Sequence, residues 1–288
     1  MKLVTYLYRG CTSIGKVVDG LIVDFPASDP LLPQTMLELL SVGNAALERA
    51  RKLDPAHAVT IPLGSVTLLP PISNPSKFLA IGMNYKKHVL EAKEAGLVLP
   101  DVQVWFNKQV SCINGPYSAV HMPVASDKLD YEVELAVVIG RHCRHVKAAD
   151  ARSVIAGYMV CNDVTVRDWQ LRSPTMTIGK SFDTTGPTGP WIVTDDEIAD
   201  PLNLHMQLFV NGEQRQNEST ANMVYDIYQQ IEHLSTAMTL EPGDILATGT
   251  PSGVGAAMKP PRFLKVGDVV RAQIEGIGMI ENTVIHAP

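Results

Sequence analysis

The chain is 288 residues long, 45% hydrophobic and 19% charged, with 24 basic against 30 acidic side chains and a formal charge of -6. That length can bury a full core and that composition excludes a disordered chain; the acidic balance supplies no basic field for nucleic acid or an anionic membrane surface. No apolar run approaches the roughly 18 residues of a membrane helix, the N-terminus lacks a signal-peptide core, and Cys11, Cys112, Cys143 and Cys161 are too dispersed for a C-x-x-C pair, which fits a reducing cytoplasm.

In chain order, residues 1–25 predict short strands turned at Arg9-Gly10 and Asp19-Gly20. A proline-rich break over 24–33 precedes helical spacing over 35–53, through Met36, Leu39, Leu40, Ala45, Ala46 and Leu47, and strand character returns over 59–69. Pro70-Pro71 and Asn74-Pro75 mark a junction, predicting a small α+β domain over 1–73 and a larger one over 74–288. The larger part opens with a strand at 77–82, after which Asn84 is placed to cap a helix over 85–95 that Gly96 ends.

Residues 129–140 form an apolar, β-branched run closed by Gly140, as in a largely buried strand, and 154–160 forms a second run leading into Asp163. Residues 173–190 read as a long polar loop with Lys180 in its middle. A hairpin over 204–216 turns at Asn211-Gly212, and a helix over 221–238 carries a core stripe of Val224, Ile227, Ile231, Leu234 and Met238. A turn at 241–244, a strand at 245–247, a glycine-rich loop at 248–255 and strands at 269–274 and 279–285 complete the chain. Many short strands, few helices and frequent Gly/Pro turns predict a mostly β fold with α, an α+β class with a rolled or barrel-like core; the strand–helix alternation of a doubly wound sheet is missing.

The chemistry centres on 129–163. Glu132 and Glu134 are two apart, so on a strand both carboxylates leave one face about 6–7 Å from each other. Two like charges beside a core repel and lose hydration, so a cation or a basic partner must compensate. Asp163 adds a third carboxylate at the end of the neighbouring segment; three hard oxygen ligands without cysteine or histidine suit Mg²⁺ or Mn²⁺ and not structural zinc. His88 and Glu91 share a helical face, where the carboxylate can orient the ring as a general base. Lys180 can neutralise a substrate carboxylate or a developing oxyanion. Arg167 and Gln170, close in sequence to Asp163, are candidates for its surroundings and for holding substrate. The loop 249–255 lacks the Lys-Ser or Lys-Thr of a P-loop, but its N–H groups and the Thr250 hydroxyl can hold a carboxylate.

The blocks 81–91 (IGMNYKKHVLE), 129–141 (LDYEVELAVVIGR), 156–170 (AGYMVCNDVTVRDWQ), 179–193 (GKSFDTTGPTGPWIV) and 240–255 (LEPGDILATGTPSGVG) together resemble the fumarylacetoacetate hydrolase family, in the family's order. The resemblance implies a β-rich catalytic domain, a homodimer, and one Mg²⁺ or Mn²⁺ held by Glu132, Glu134 and Asp163. It also implies a His88/Glu91 dyad, a loop lysine at Lys180 and substrate contact at Thr250. The chain departs from the pattern at Trp105-Phe106-Asn107-Lys108-Gln109, where small members have Phe-x-Lys-Pro, and at Thr185-Gly186 before Pro187.

The expected reaction is metal-dependent hydrolysis of a C–C bond in a β-diketo acid of acylpyruvate or fumarylpyruvate type, His88 activating water and a pyruvate enolate leaving. The alternatives are hydrolysis of 2,4-diketo-3-deoxy sugar acids, oxaloacetate decarboxylation, and dehydration or isomerisation of a 2-keto-3-deoxy acid, all through a similar enolate. A non-catalytic metal- and carboxylate-binding module is the contrasting expectation: it would keep the three acids and turn over nothing.

Overall fold

The strand Val133–Ile139 is buried on both faces along its whole length, as its unbroken aliphatic run requires. The computed structural model describes residues 1–94, 96 and 101–288, and builds the chain outward from this strand. One edge pairs antiparallel with Ile155–Asn162 and the other with Ile245–Ala247. Beyond Ile245–Ala247 lie Phe78–Gly82, parallel to it, and then Val104–Asn107. Beyond Ile155–Asn162 lies Gly186–Thr194, which pairs with the N-terminal strand Lys2–Tyr8; Cys11–Val18, Leu21–Asp24 and Thr60–Pro62 follow in turn. The fold is thus mixed α+β with an extended open sheet, and among the described residues no sheet closes into a barrel.

A five-stranded sheet, in the order Glu213–Ser219, His205–Val210, Val269–Ile274, Gly278–His286 and Val120–Met122, covers one side. There Leu135, Val137 and Ile139 share a core with Met206, Leu208, Ala272, Ile280 and the helix residues Ile231 and Leu234. On the other side Ala136, Val138, Met159 and Cys161 share a core with Met36, Leu39, Leu40 and Ala46 of the N-terminal helices. Each fully buried large aliphatic side chain contributes about 1.5–3 kcal/mol, so the central strand is clamped from both faces.

Several local expectations are corrected. The helical pattern over 35–53 is two helices, Met36–Val42 and Asn44–Arg51, because Gly43 takes a φ of 73° between them; Thr35 and Glu38 form a reciprocal capping box at the start. The proline-rich break contains the short helix Phe25–Ser28, and 59–69 holds two short strands, Thr60–Pro62 and Thr67–Leu68, around a 3₁₀ turn at Leu63–Ser65. The loop expected over 173–190 ends early, at the strand Gly186–Thr194. The best-patterned helix is Ile227–Ala237, since Asp226 caps it with Gln229 and leaves Val224 outside, 40% exposed. The helix bearing the dyad is Lys86–Glu94; the expected end at Ala95 lies outside the described residues. Asn84 does not cap it: its amide donates to the Tyr225 and Thr248 carbonyls and its Oδ1 accepts from Tyr225 N–H, tying three segments together. Among the described residues no helix is long and apolar enough to cross a membrane, and all four cysteines are free.

Candidate active site

The acidic residues meet where two central strands run out. Val133 pairs with Asn162, so Glu132 and Asp163 stand opposite one another just beyond the ladder, with Asp163 N–H donating to the Glu132 carbonyl at 2.9 Å. Glu134 is one strand position inside, opposite Cys161. One carboxylate oxygen from each of Glu132, Glu134 and Asp163 falls within 4.8 Å of the others, and all three residues are buried. The alternation expected of a strand is therefore what gathers them.

The second oxygens are held. Arg167 Nη2 lies 2.7 Å from Glu132 Oε1, while its Nε donates to Asp130 Oδ2 at 2.8 Å. Gly249 N–H donates to Glu134 Oε2 at 2.8 Å. Lys108 Nζ lies 2.8 Å from Asp163 Oδ1, both side chains fully enclosed. Lys180 bridges the pair, its Nζ 2.8 Å from Glu132 Oε2 and 2.6 Å from Asp163 Oδ2. Burial pushes the Glu132 carboxyl up, but the Lys180 and Arg167 charges outweigh it and hold it down to about 2. For Glu134 the balance is reversed: burial, then the Asp163 and Glu132 charges, outweigh Lys180 and the Gly249 N–H and push it well above the usual carboxylate range. A buried carboxylate beside two others, with hard oxygens converging, fits a divalent cation of the Mg²⁺ or Mn²⁺ kind.

The dyad faces this cluster. His88 Nδ1 is 3.1 Å from Glu91 Oε2, and Glu91 Oε1 accepts from Gly253 N–H at 3.1 Å. His88 is near enough to Glu132 for its positive charge to favour the ionised carboxylate. The glycine-rich loop thus serves two masters, Gly249 holding Glu134 and Gly253 aiming Glu91. Gly253 has a φ of 102°, and a Cβ there would meet the Arg215 carbonyl at 2.0 Å, so only glycine fits. Thr250 is buried in the same loop: its hydroxyl donates to the Val133 carbonyl at 3.0 Å and accepts from Gln216 Nε2 at 2.8 Å.

The structure therefore brings together Glu132, Glu134, Asp163, Lys180, His88 and Glu91, with Thr250 in the adjoining loop. Arg167 is spent on two carboxylates, and Gln170 accepts from its Nη1 at 3.1 Å, so both stand behind the acids. Three residues at the site had been given no role. Asp130 accepts from Tyr131, Gly255 and Ala256 N–H groups as well as Arg167. Gln216 joins Val133 N–H to Thr250 and Pro251. Lys108 supports Asp163; strand alternation carried a signal for it, because it follows buried Phe106 by two positions and so turns inward.

The family profile described as Fumarylacetoacetate (FAA) hydrolase C-terminal matches residues 77–285. The mitochondrial oxaloacetate tautomerase Fahd2a of Rattus norvegicus is 44% identical over 269 residues, 93% of this chain and 85% of the rat protein. Among solved structures, the fumarylacetoacetate hydrolase of psychrophilic Exiguobacterium antarcticum superposes with a TM-score of 0.88 at 36% identity, covering both chains fully. The maleylpyruvate hydrolase of Sphingobium sp. SYK-6, in complex with manganese(II) and pyruvate, gives 0.83 at 33% identity, again over both full chains.

Proposed function

The chain belongs to the fumarylacetoacetate hydrolase family, and from that premise we propose that it is a divalent-metal-dependent enzyme that moves a proton on an enolisable 2-oxo acid of the oxaloacetate class. The observation that carries this reading is the set of three buried, converging carboxylates, two of them bridged by Lys180, beside a histidine–glutamate dyad. Glu132, Glu134 and Asp163 would hold a Mg²⁺ or Mn²⁺ ion, which would supply Lewis-acid chemistry toward a 2-oxo acid. With Nδ1–H donated to Glu91, His88 presents its Nε2 lone pair as the base that takes the proton from C3 and returns it to oxygen or carbon. The Lys180 ammonium meets negative charge on the substrate. The loop 248–255 orients the dyad through Gly253.

A second reading, hydrolysis of a C–C bond in an acylpyruvate, is favoured by the same dyad, which can equally deprotonate water, and by the likeness to a maleylpyruvate hydrolase. The two readings differ in whether water attacks. Metal-depleted protein, restored with Mn²⁺ or Mg²⁺, is to be given oxaloacetate and a panel of acylpyruvates, following keto–enol interconversion by NMR and products by mass. Tautomerisation of oxaloacetate without mass change supports the first reading; release of pyruvate plus a carboxylic acid from an acylpyruvate supports the second; turnover of neither overturns both. The reading also includes a homodimer in the cytoplasm; sedimentation at one chain mass would remove the dimer.

A further inference from the structure

Three carboxylates cannot be buried within 4.8 Å of one another without compensation, and the cations that compensate are of two kinds. Lys180 lies on Glu132 Oε2 and Asp163 Oδ2 together, bridging two of the three acids. Lys108 lies elsewhere. Its ammonium touches only the other oxygen of Asp163, at 2.8 Å, and donates to the Lys180 backbone carbonyl. The side chain is fully enclosed, with the Phe78 ring centroid 6.0 Å from Nζ, so it has no water to retreat into. Its backbone is fixed as well, the Lys108 N–H donating to the Phe78 carbonyl at 2.9 Å next to the strand Val104–Asn107. Lys108 can stay in place whatever sits among the inner oxygens.

We propose that Lys108 is a permanent counter-cation of the acidic triad: it lets the carboxylates be buried before a metal arrives, and it weakens the metal affinity that results. The inference rests on the metal site of the preceding reading, but not on any reaction there. Two influences oppose each other when Lys108 is removed. Asp163 loses an orienting partner, which lowers metal affinity by roughly 10–100-fold in comparable sites. A fixed positive charge also disappears from beside a doubly charged ion at a site shielded from water, and this repulsion is the larger influence.

The test is calorimetric titration of full-length metal-depleted protein with Mn²⁺ at pH 8, with melting curves in EDTA and in Mn²⁺. Lys108→Met should bind Mn²⁺ at least tenfold more tightly than wild type, melt lower in EDTA, and gain more from Mn²⁺. A variant that folds only with Mn²⁺ present supports the same conclusion. Lys108→Arg retains the charge and should stay within about threefold of wild type. Lys77→Met breaks a lysine–carboxylate pair at the far end of the central strand, the partly exposed Lys77 to the enclosed Asp244 at 2.9 Å; it should lower both melting points and leave the Mn²⁺ gain unchanged. Unchanged or weaker Mn²⁺ binding in Lys108→Met overturns the proposal, as does equal tightening in Lys108→Arg or an equal gain in Lys77→Met. A wild type without Mn²⁺ binding would sink the metal reading itself, while the appearance or absence of binding in Lys108→Met would still decide the role of Lys108.

Discussion

Both ends of the strand Val133–Ile139 carry buried carboxylates, yet only one end is a site. At the Ile139 end, Asp244 is fully enclosed and complete: its oxygens accept from the N–H groups of Lys77 and Glu241 and from Lys77 Nζ, all within 2.9 Å, and its carbonyl accepts from Ile139 N–H. At the Val133 end Arg167, Gly249 and Lys108 each hold one oxygen of one acid, and a single lysine, Lys180, is shared between the second oxygens of Glu132 and Asp163. Asp130, two residues from Glu132, behaves like Asp244, with three N–H groups and Arg167 around it. Burial of charge alone therefore does not mark chemistry. What marks it is an excess of buried negative charge, four acids (Asp130, Glu132, Glu134 and Asp163) beside three cations (Arg167, Lys108 and Lys180).

The sharpest way to test this contrast is Glu134→Gln. The amide can still accept from Gly249 N–H, so the fold should persist, whereas metal-dependent turnover should vanish and Mn²⁺ binding with it; titration that still found wild-type affinity would break the comparison. His88→Ala should leave Mn²⁺ affinity intact and lower kcat by about 10²–10⁴-fold, measured at saturating metal with the substrate found in the panel. Asp244→Ala should do the reverse, costing about 3 kcal/mol of stability in urea unfolding without altering Mn²⁺ affinity.

Smallest is the effect of pH. Glu134 is raised in the metal-free protein, so its proton must leave when metal binds: Mn²⁺ affinity should climb by up to about tenfold per pH unit below that raised value, with proton release visible as a buffer-dependent heat. The same shift makes Glu134 a growing burden on metal-free stability as pH rises above its ordinary value of 4.5. Glu132 has the opposite sign: its contribution is complete above 4.5 and is lost as pH falls toward about 2. Thermal melts in EDTA that rose steadily from pH 5 to 8 would contradict the Glu134 part.

The triad was legible because a strand's two-residue period is strict, and Glu132 and Glu134 sit on a run that no helix would tolerate so well. His88, Glu91 and Lys180 were legible through the family blocks. Arg167 was legible as a neighbour of Asp163, but its partner Asp130, 37 positions earlier, was not, because sequence separation hides that contact. Gln216 was hidden by a register shift between Leu208 and Phe209 in the hairpin, which turns a polar strand inward against Thr250. Lys108 was noticed only as part of an altered motif, since a lysine after an edge strand is ordinarily solvated. Val224 looked like core because periodicity continued past the point where Asp226 caps the helix.

Val133–Ile139 is hydrogen-bonded along both edges and covered on both faces. Its amides should therefore exchange with deuterium only when the whole molecule opens. The slab beneath the acids should consequently be the slowest-breathing part of the protein, the frame that keeps three like charges together while the surface around them opens and closes.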